Sequence, residues 1–428
     1  MTGRCKETVV GNVPASWEIK QLAEVSDFIT KGGTPTTYGF NWADESNGVP
    51  FFRSECVTDE GFNPKGMNFI PAEAHHQMSR SEIKPGDLLM TITGNVGRVA
   101  RASERFSTAN INQHIARIRV LNDTGADPDF VYQCLKHKAY ATYYRAILTG
   151  QAYPQISLEQ VRGTPVAFPP LPEQKKIAAI LMAVDNKIDV IARQIEAKQA
   201  LRQGLMQTLF SRGEDTRGSA NWPVVLLQEV AEVRTGVAKG KKGMKEPVEL
   251  PYLRVANVQD GHVDLTEVKT ISVEESQVER YALKPGDVLM TEGGDFDKLG
   301  RGDVWEGQIS PCLHQNHVFA VRPVPSKLNS YYLAALAASD YGRRYFLSCA
   351  KRTTNLASIN SSQLKSFPVL LPPLDEQVRI ADIVAAANAR IEILGTKKAH
   401  YQTLKRGLMQ KLLTGEWRVK LDSPTGSA

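Results

Sequence analysis

The sequence predicts an α+β protein written twice over: two β-rich globular modules separated by two long antiparallel helices, a coiled coil with a pseudo-two-fold internal repeat. Three observations carry that prediction. Residues 165–181 (PVAFPPLPEQKKIAAIL) recur as residues 368–384 (PVLLPPLDEQVRIADIV), and Glu173 and Glu376 stand 203 residues apart. GLMQTL at 204–209 recurs as GLMQKL at 407–412 with the same offset, so the repeated stretch keeps its length from one end to the other. Both copies carry apolar residues at alternating spacings of four and three, the mark of a helix pair.

The repeated segment opens on a Pro-rich stop. Pro172 suits a first helical position, Asp375 suits a cap, and the acids at 173 and 375–376 suit the positive start of a helix. In the first copy the seam is Ile177, Leu181, Val184, Ile188, Ile191, Ile195, Leu205 and Leu209, interrupted only by Lys198 and Arg202. In the second it is Ile380, Val384, Ala387, Ile391, Leu394, Tyr401, Leu408 and Leu412. Gly213 and Gly415 are natural stops. A helix of about 40 residues is roughly 60 Å long. One core helix inside a large domain is the plainer reading, but two matched copies favour a pair. The first helix delivers the chain to the second module and the second helix runs back along it. The divisions expected are 1–172 and 214–375 for the modules, 173–213 and 376–416 for the helices, and 417–428 for a tail.

The modules agree more loosely. IKPGDLLMT (83–91) matches LKPGDVLMT (283–291), SWEIKQLAEV (16–25) resembles NWPVVLLQEV (221–230), and VPFFR (49–53) parallels LPYLR (250–254). Apolar runs punctuated by Gly and Pro predict strands over 87–93, 115–120, 287–291 and 318–321. Residues 130–148 and 330–348 read as helices, and their tyrosines, Tyr132, Tyr140, Tyr143, Tyr331, Tyr332, Tyr341 and Tyr345, read as core packing rather than base-stacking platforms.

Length and composition narrow the function. At 428 residues with 42% hydrophobic and 23% charged, the chain is long enough for two or three ordinary globular cores. A formal net charge of +6 suits a nucleic-acid partner but does not single one out. Cys5, Cys56, Cys134, Cys312 and Cys349 are scattered, odd in number and form no CxxC, which argues for a reducing compartment. The start lacks the apolar run of a signal peptide, and stretches such as 177–184 are too short to cross a bilayer. A cytoplasmic protein with no membrane partner is expected.

No catalytic motif is legible. The N/D-P-P-aromatic loop that an adenine methyltransferase uses to hold a flipped base is absent. TGVAKGKKG (235–243) lacks the spacing of a phosphate loop and suits a basic DNA-facing loop instead. Asp295, Asp297, Gly300, Asp303 and Glu306 imitate a calcium loop, but Leu299 stands at a ligand position and a strand precedes it. Cys312, His314 and His317 suggest a metal, yet the matching INQH of the first half keeps only His114. Gly94-Asn95-Val96-Gly97 reads as a turn after a strand. From residues alone, a DNA reader, a protein-binding scaffold and a self-contained nuclease or methyltransferase stay open, the last disfavoured by the missing motifs.

The whole arrangement resembles the specificity subunit of type I restriction–modification systems. The resemblance rests on the two PPL–EQ–I segments (Pro169-Pro170-Leu171, Glu173-Gln174, Ile177; Pro372-Pro373-Leu374, Glu376-Gln377, Ile380), each preceded by an Ile–x3–Gln approach (Ile156 and Gln160; Ile359 and Gln363). VPASWEIKQLAEV, the KPGDxLMT strands and GGDFDKLGRGDVW (293–305) are also similar to family patterns. The match spans nearly the whole chain, leaving out the first dozen residues and the tail after Trp417. It implies that the globular modules are target-recognition domains, each reading half of a bipartite asymmetric site in double-stranded DNA. It implies that the helices dock two methyltransferase subunits, that restriction subunits join them, and that this chain is no enzyme by itself. It binds no cofactor or metal on that reading: S-adenosylmethionine, ATP and magnesium belong to the partners.

Readout needs Arg, Lys, Asn or Gln at base edges, and phosphates need basic groups and free amides. In the first module the loops supplying them carry Lys31, Thr34, Arg53, Asn95, Arg98, Gln151 and Tyr153. In the second they carry Lys239, Lys241, Lys242, Lys245, Arg254, Lys298, Arg301, Lys351, Arg352 and Asn355. Any one of these is equally well a solvated surface group.

Overall fold

In the computed structural model, residues 5–150, 153–211, 222–238, 246–294, 299–352 and 357–421 are described. The chain divides into two compact units, Met1–Val190 with Lys398–Ala428, and Ile191–Lys397. Each therefore contains a globular module, the start of the long helix that leaves it, and the end of the long helix that arrives. The helices are Leu171–Ser211 and Leu374–Leu412. Both begin on the leucine of the PPL motif, so Pro172 and Asp375 lie just inside the first turn rather than ahead of it.

The two modules share one topology. In the first unit a four-stranded antiparallel sheet runs in the order Thr30–Lys31, Ile115–Ile118, Leu88–Thr91, Val99–Arg101. The second unit has the same order in Ala231–Thr235, Val318–Pro323, Val288–Thr291, Gly302–Val304. A parallel pair follows in each, Ala109–Ile111 beside Val49–Phe52 and Leu313–His314 beside Pro247–Leu253. The last strand before each long helix pairs with a strand near the start of its module: Pro165–Phe168 with Glu18–Gln21, which follows the hairpin Cys5–Thr8 and Gly11–Pro14, and Pro368–Leu370 with Val224–Leu226.

The helices expected over 130–148 and 330–348 are each two helices, Pro128–Leu135 with Lys138–Ala146, and Ser330–Ala338 with Asp340–Cys349. The break comes where a side chain recaps the chain. The His137 ring accepts from the Ala139 amide at 3.2 Å, and Ser339 Oγ accepts from Gly342 at 3.3 Å. Tyr132, Tyr140 and Tyr332 are buried, Tyr143, Tyr341 and Tyr345 half-buried, and Tyr331 is 45% exposed with its hydroxyl on Glu306.

The repeated motifs hold this scaffold together. KPGD is a β-turn with Pro85 or Pro285 first and a left-handed glycine second, Gly86 at φ +88° and Gly286 at +93°. Its aspartate is buried: Asp87 accepts from the Lys84 amide at 2.8 Å and from Arg119 twice at 2.7 Å. Asp287 repeats this with Lys284 at 2.8 Å and Arg322 twice at 2.7 Å. The Ile–x3–Gln approach caps a short helix and ties it inward. The Ile156 amide donates to Ile92 and the Ile359 amide to Glu292, while Gln160 donates to the Ile147 carbonyl and Gln363 to that of Cys349.

The PPL–EQ glutamine fixes the departing helix to its module. Gln174, 1% exposed, accepts from the Asp127 amide at 2.9 Å and donates to the carbonyls of Gly125 and Pro169 at 2.9 and 2.8 Å. Gln377, 0% exposed, accepts from Asn329 at 2.8 Å and donates to Lys327 and Pro372 at 3.0 and 2.8 Å. The side-chain amide thus meets backbone groups that could not otherwise pair.

Along the seam Ile177, Leu181, Ile191, Ile380, Val384 and Leu412 are buried, and Val184, Ile188, Ile195, Leu205, Leu209, Ala387, Ile391, Leu394, Tyr401 and Leu408 are half-buried. The helix ends bury a neighbouring line as well: Met206 and Phe210 pack into the core of the second unit, Met409 and Leu413 into that of the first. In the first unit the two helix segments run antiparallel. Glu173 accepts from Arg418 at 2.6 and 2.8 Å, and twelve residues on Asp185 accepts from Lys405 at 2.6 and 2.7 Å. Lys405 is 8% exposed, and burial lowers its pKa while Asp185 opposes that.

Replacing either glutamine removes three hydrogen bonds and leaves buried backbone groups unmatched. Gln174→Ala and Gln377→Ala are each expected to cost about 2–4 kcal/mol of stability, read as a lower denaturation midpoint of the unit concerned. A loss below about 0.5 kcal/mol would show that water replaces the amide.

Candidate nucleic-acid interface

In each unit four loops meet at one end of the four-stranded sheet, because main-chain hydrogen bonds tie them there. In the first unit the Gly32 amide donates to Asn112 at 3.2 Å, Ile92 to His114 at 2.9 Å, and Gly94 to Pro154 at 2.9 Å. Gln155 bridges both Thr93 and Thr149. This gathers the loops around 31–34, 92–97 and 112–115 with residues 149–150 and 153–155. In the second unit the Val237 amide donates to His314 at 2.8 Å, Glu292 to His317 at 3.0 Å, and Ile359 to Glu292 at 2.8 Å. There Gly293–Gly294, Ala357–Ser358 and Lys351–Arg352 form a small antiparallel sheet that seats the fourth loop.

Lys31, Thr34, Asn95 and Tyr153 lie on these gathered loops. Lys31 and Asn95 are exposed, and Tyr153 is 59% exposed with its ring 6.5 Å from that of His114. Thr34 donates to Gln113 Oε1 at 2.9 Å. Asn95 sits between Gly94 and Gly97 (φ +73° and +83°) in a turn whose carbonyl side accepts from Thr91 Oγ1. Lys351 is exposed on the matching loop of the second unit, beside Arg352, which pairs with Ala357 through its backbone.

Three further cations are drawn into the scaffold. Arg98 is ion-paired to Asp59 at 2.9 Å, Arg53 donates to the Gly66 carbonyl at 3.0 Å, and Arg254 donates to the Glu267 carbonyl at 3.3 Å. Arg301 is half-buried, and its Nε finds no partner among the described residues. Gln151, Lys239, Lys241, Lys242, Lys245, Lys298 and Asn355 lie outside the described residues.

Gln113 and His114 were not singled out for DNA contact, nor were Asn316 and His317. All four sit on the turns that join the parallel strand to the central sheet, at the middle of the gathered loops. The only sequence signal was INQH set against HQNH, which reads more readily as a broken metal motif.

That metal reading does not survive the geometry. His314 is buried and its Nδ1–H donates to the Val318 carbonyl at 2.6 Å, Cys312 is buried in a separate cluster, and His317 binds Glu292. Among the described residues no group of three or more His, Cys, Asp or Glu is placed to hold a metal ion. Of the calcium-like stretch, Asp295 and Asp297 lie outside the described residues, and Asp303 is a strand residue paired with Leu289. No helix among the described residues is long and apolar enough to cross a membrane.

The family model of the type I restriction modification DNA specificity domain matches the chain twice, over residues 14–198 and 219–400. The specificity subunit assigned to the putative MjaX type I restriction enzyme of Methanocaldococcus jannaschii is 24% identical over 97% of this chain and 97% of its own length. The EcoKI specificity subunit of Escherichia coli K12 is 22% identical over 96% of this chain and 92% of its own. In fold, the chain is similar to the type I S subunit from M. genitalium, with a TM-score of 0.58, 15% identity, and coverage of 93% and 96%. It is also similar to a chain from a structure of type I R-M complex assembly, with a TM-score of 0.56, 20% identity, and coverage of 95% and 99%.

The buried His314 predicts an acid-sensitive second unit. Burial holds its imidazole neutral, with the pKa lowered to about 4, against about 6.5 in an unfolded chain. The stabilisation is therefore complete above about pH 6.5 and is lost as the pH falls toward 4, by up to about 3 kcal/mol. Denaturation midpoints measured from pH 7 to 4 should fall accordingly, and His314→Gln should flatten that dependence. An unchanged slope in the variant would rule His314 out as its source.

Proposed function

Because the chain belongs to the type I restriction modification DNA specificity family, we propose that it reads the DNA target for a restriction–modification complex and performs no chemistry itself. The observation that carries this reading is the repetition of one scaffold with two different loop ends. The KPGD turn, the Ile–x3–Gln cap and the helix-start glutamine recur contact for contact. Apart from His114 and His317, the residues presented by the gathered loops differ between the halves. A duplicated reader with diverged loops suits a bipartite target whose halves differ.

On this reading each module contacts one half of a split site in double-stranded DNA through the loop end of its sheet. The two long helices pair antiparallel as a coiled coil that sets the module spacing. Support comes from their matched lengths, their apolar stripes, and the Glu173–Arg418 and Asp185–Lys405 pairs in the first unit. Two methyltransferase subunits dock on the helices and restriction subunits join the complex in the cytoplasm. S-adenosylmethionine, ATP and magnesium are bound by those partners.

A protein scaffold would share the architecture but not the consequence for DNA. The purified chain should neither methylate nor cut DNA, whereas with its methyltransferase partner it should give adenine methylation at one bipartite, asymmetric site. Exchanging residues 14–168 for the equivalent module of another family member should then change one half-site and leave the other alone. Methyl transfer by the chain alone, or simultaneous change of both half-sites, would contradict the reading.

A further inference from the structure

We propose that each module carries an amide–imidazole pair on the turn at its loop end, Gln113 with His114 and Asn316 with His317, and that the amide reads the edge of an adenine in the major groove. The proposal rests on the reading of the chain as a DNA specificity subunit. It adds which side chains read, and what they read.

The turns occupy the same place in both folds. The Ile115 amide donates to Asn112 at 3.4 Å and the Val318 amide to Gln315 at 2.8 Å, so 113–114 and 316–317 are the central residues of matching β-turns. Each is pinned on both sides. Asn112 donates to Phe52 at 3.0 Å and Gln315 to Leu253 at 2.8 Å, while the carbonyls of His114 and His317 accept from Ile92 and Glu292. A neighbouring glycine lets the chain pass beneath: a Cβ on Gly32 would lie 1.6 Å from the Ile111 carbonyl oxygen, and one on Gly236 2.0 Å from that of His314. Backbone contacts, with Asn112 Oδ1 accepting from the His114 amide at 3.1 Å in the first unit, therefore place the turn and leave the side chains of 113–114 and 316–317 available for other work.

Those side chains engage one another. Gln113 Nε2 lies 3.1 Å from His114 Nε2, and Asn316 Nδ2 lies 3.5 Å from His317 Nε2. An amide nitrogen donates, so each imidazole accepts through Nε2 and keeps its proton on Nδ1. Glu292 takes that proton's hydrogen bond in His317. In His114, Nδ1 is buried and finds no partner among the described residues. Thr34 orients the other end of the Gln113 amide by donating to Oε1. After these contacts Gln113 still has one N–H and one oxygen lone pair, the two groups with which an amide grips adenine N7 and N6 together. The histidines are positioning residues that aim the amides.

The test uses the full complex with its methyltransferase partner and sequencing of the methylated sites, with thermal midpoints measured alongside. Gln113→Ala should relax one adenine position in one half-site, lowering discrimination there roughly 5–150-fold. Asn316→Ala should do the same in the other half-site only. Gln113→Glu, which can accept but not donate, should move that position toward cytosine, whose N4 is a donor. Unchanged preference at every position, or uniform weakening across all sequences, would overturn the proposal and leave the specificity reading intact. If Gln113→Ala abolishes modification while lowering the midpoint, Gln113→Glu decides: a cytosine preference supports base reading, and the original preference or no activity refutes it. A wild-type complex that modifies no bipartite site would instead refute the reading beneath it.

Discussion

Everything in this chain depends on how a long helix is attached to a globular module at one end. A helix of about 40 residues turns small errors at its root into large displacements at its tip. The attachment here is a buried side-chain amide, Gln174 in one unit and Gln377 in the other, each satisfying two carbonyls and an amide of its module. An apolar side chain could fill the same space, but it would leave three backbone groups unpaired and the helix free to rotate about its start. Hydrogen bonds are directional, so the glutamine fixes the angle as well as the position. In the first unit the arriving helix end is fixed in turn by ion pairs, Arg418 to the buried Glu173 and Lys405 to the half-buried Asp185.

A division of labour follows. The residues that repeat between the halves make the turns, caps and clamps, and their polar groups are spent inside the protein. Asp87 and Asp287 are each buried under a bidentate arginine, and stripping either arginine away would leave a buried carboxylate uncompensated. The residues that differ lie at the loop end of each sheet, held largely by backbone contacts and by the close-packed Gly32 and Gly236. Specificity can therefore change without disturbing the fold, because the contacts that make the scaffold and those that would meet DNA draw on different atoms.

The duplication and the long helices were legible because a period of 203 residues and a heptad stripe survive in any one sequence. The strands of the central sheets were legible within a few residues for the same reason of patterning. The splitting of each module's helix into two was not. Apolar residues resume beyond Lys136-His137-Lys138 and Ser339, and only the caps at His137 and Ser339 reveal the break. Nor did the stripe disclose Met206 and Phe210, which lie one residue off the seam and face a core built from distant strands. Lys405 stands at a seam position as a charge, and nothing local announces that Asp185 waits opposite it. The loop cations were chosen by residue type, but Arg53 and Arg254 prove to be engaged by carbonyls 13 residues on, and Arg98 by Asp59, 39 residues back. Gln113 and Asn316 were passed over because a polar turn looks the same in sequence whether or not it faces a ligand.

On the proposed function, the helix pair rooted at these glutamines would set the distance between the two half-site readers. The most direct measurement adds one heptad to each helix, after Gln194 and after Lys397, and maps the methylated sites of the resulting complex. Seven residues lengthen a helix by roughly 10 Å, about three base pairs at 3.4 Å each. The account predicts unchanged half-sites separated by a spacer about two to four base pairs longer, with four-residue insertions less active because they turn the apolar stripe off its partner. An active heptad variant that keeps the original spacer would contradict it.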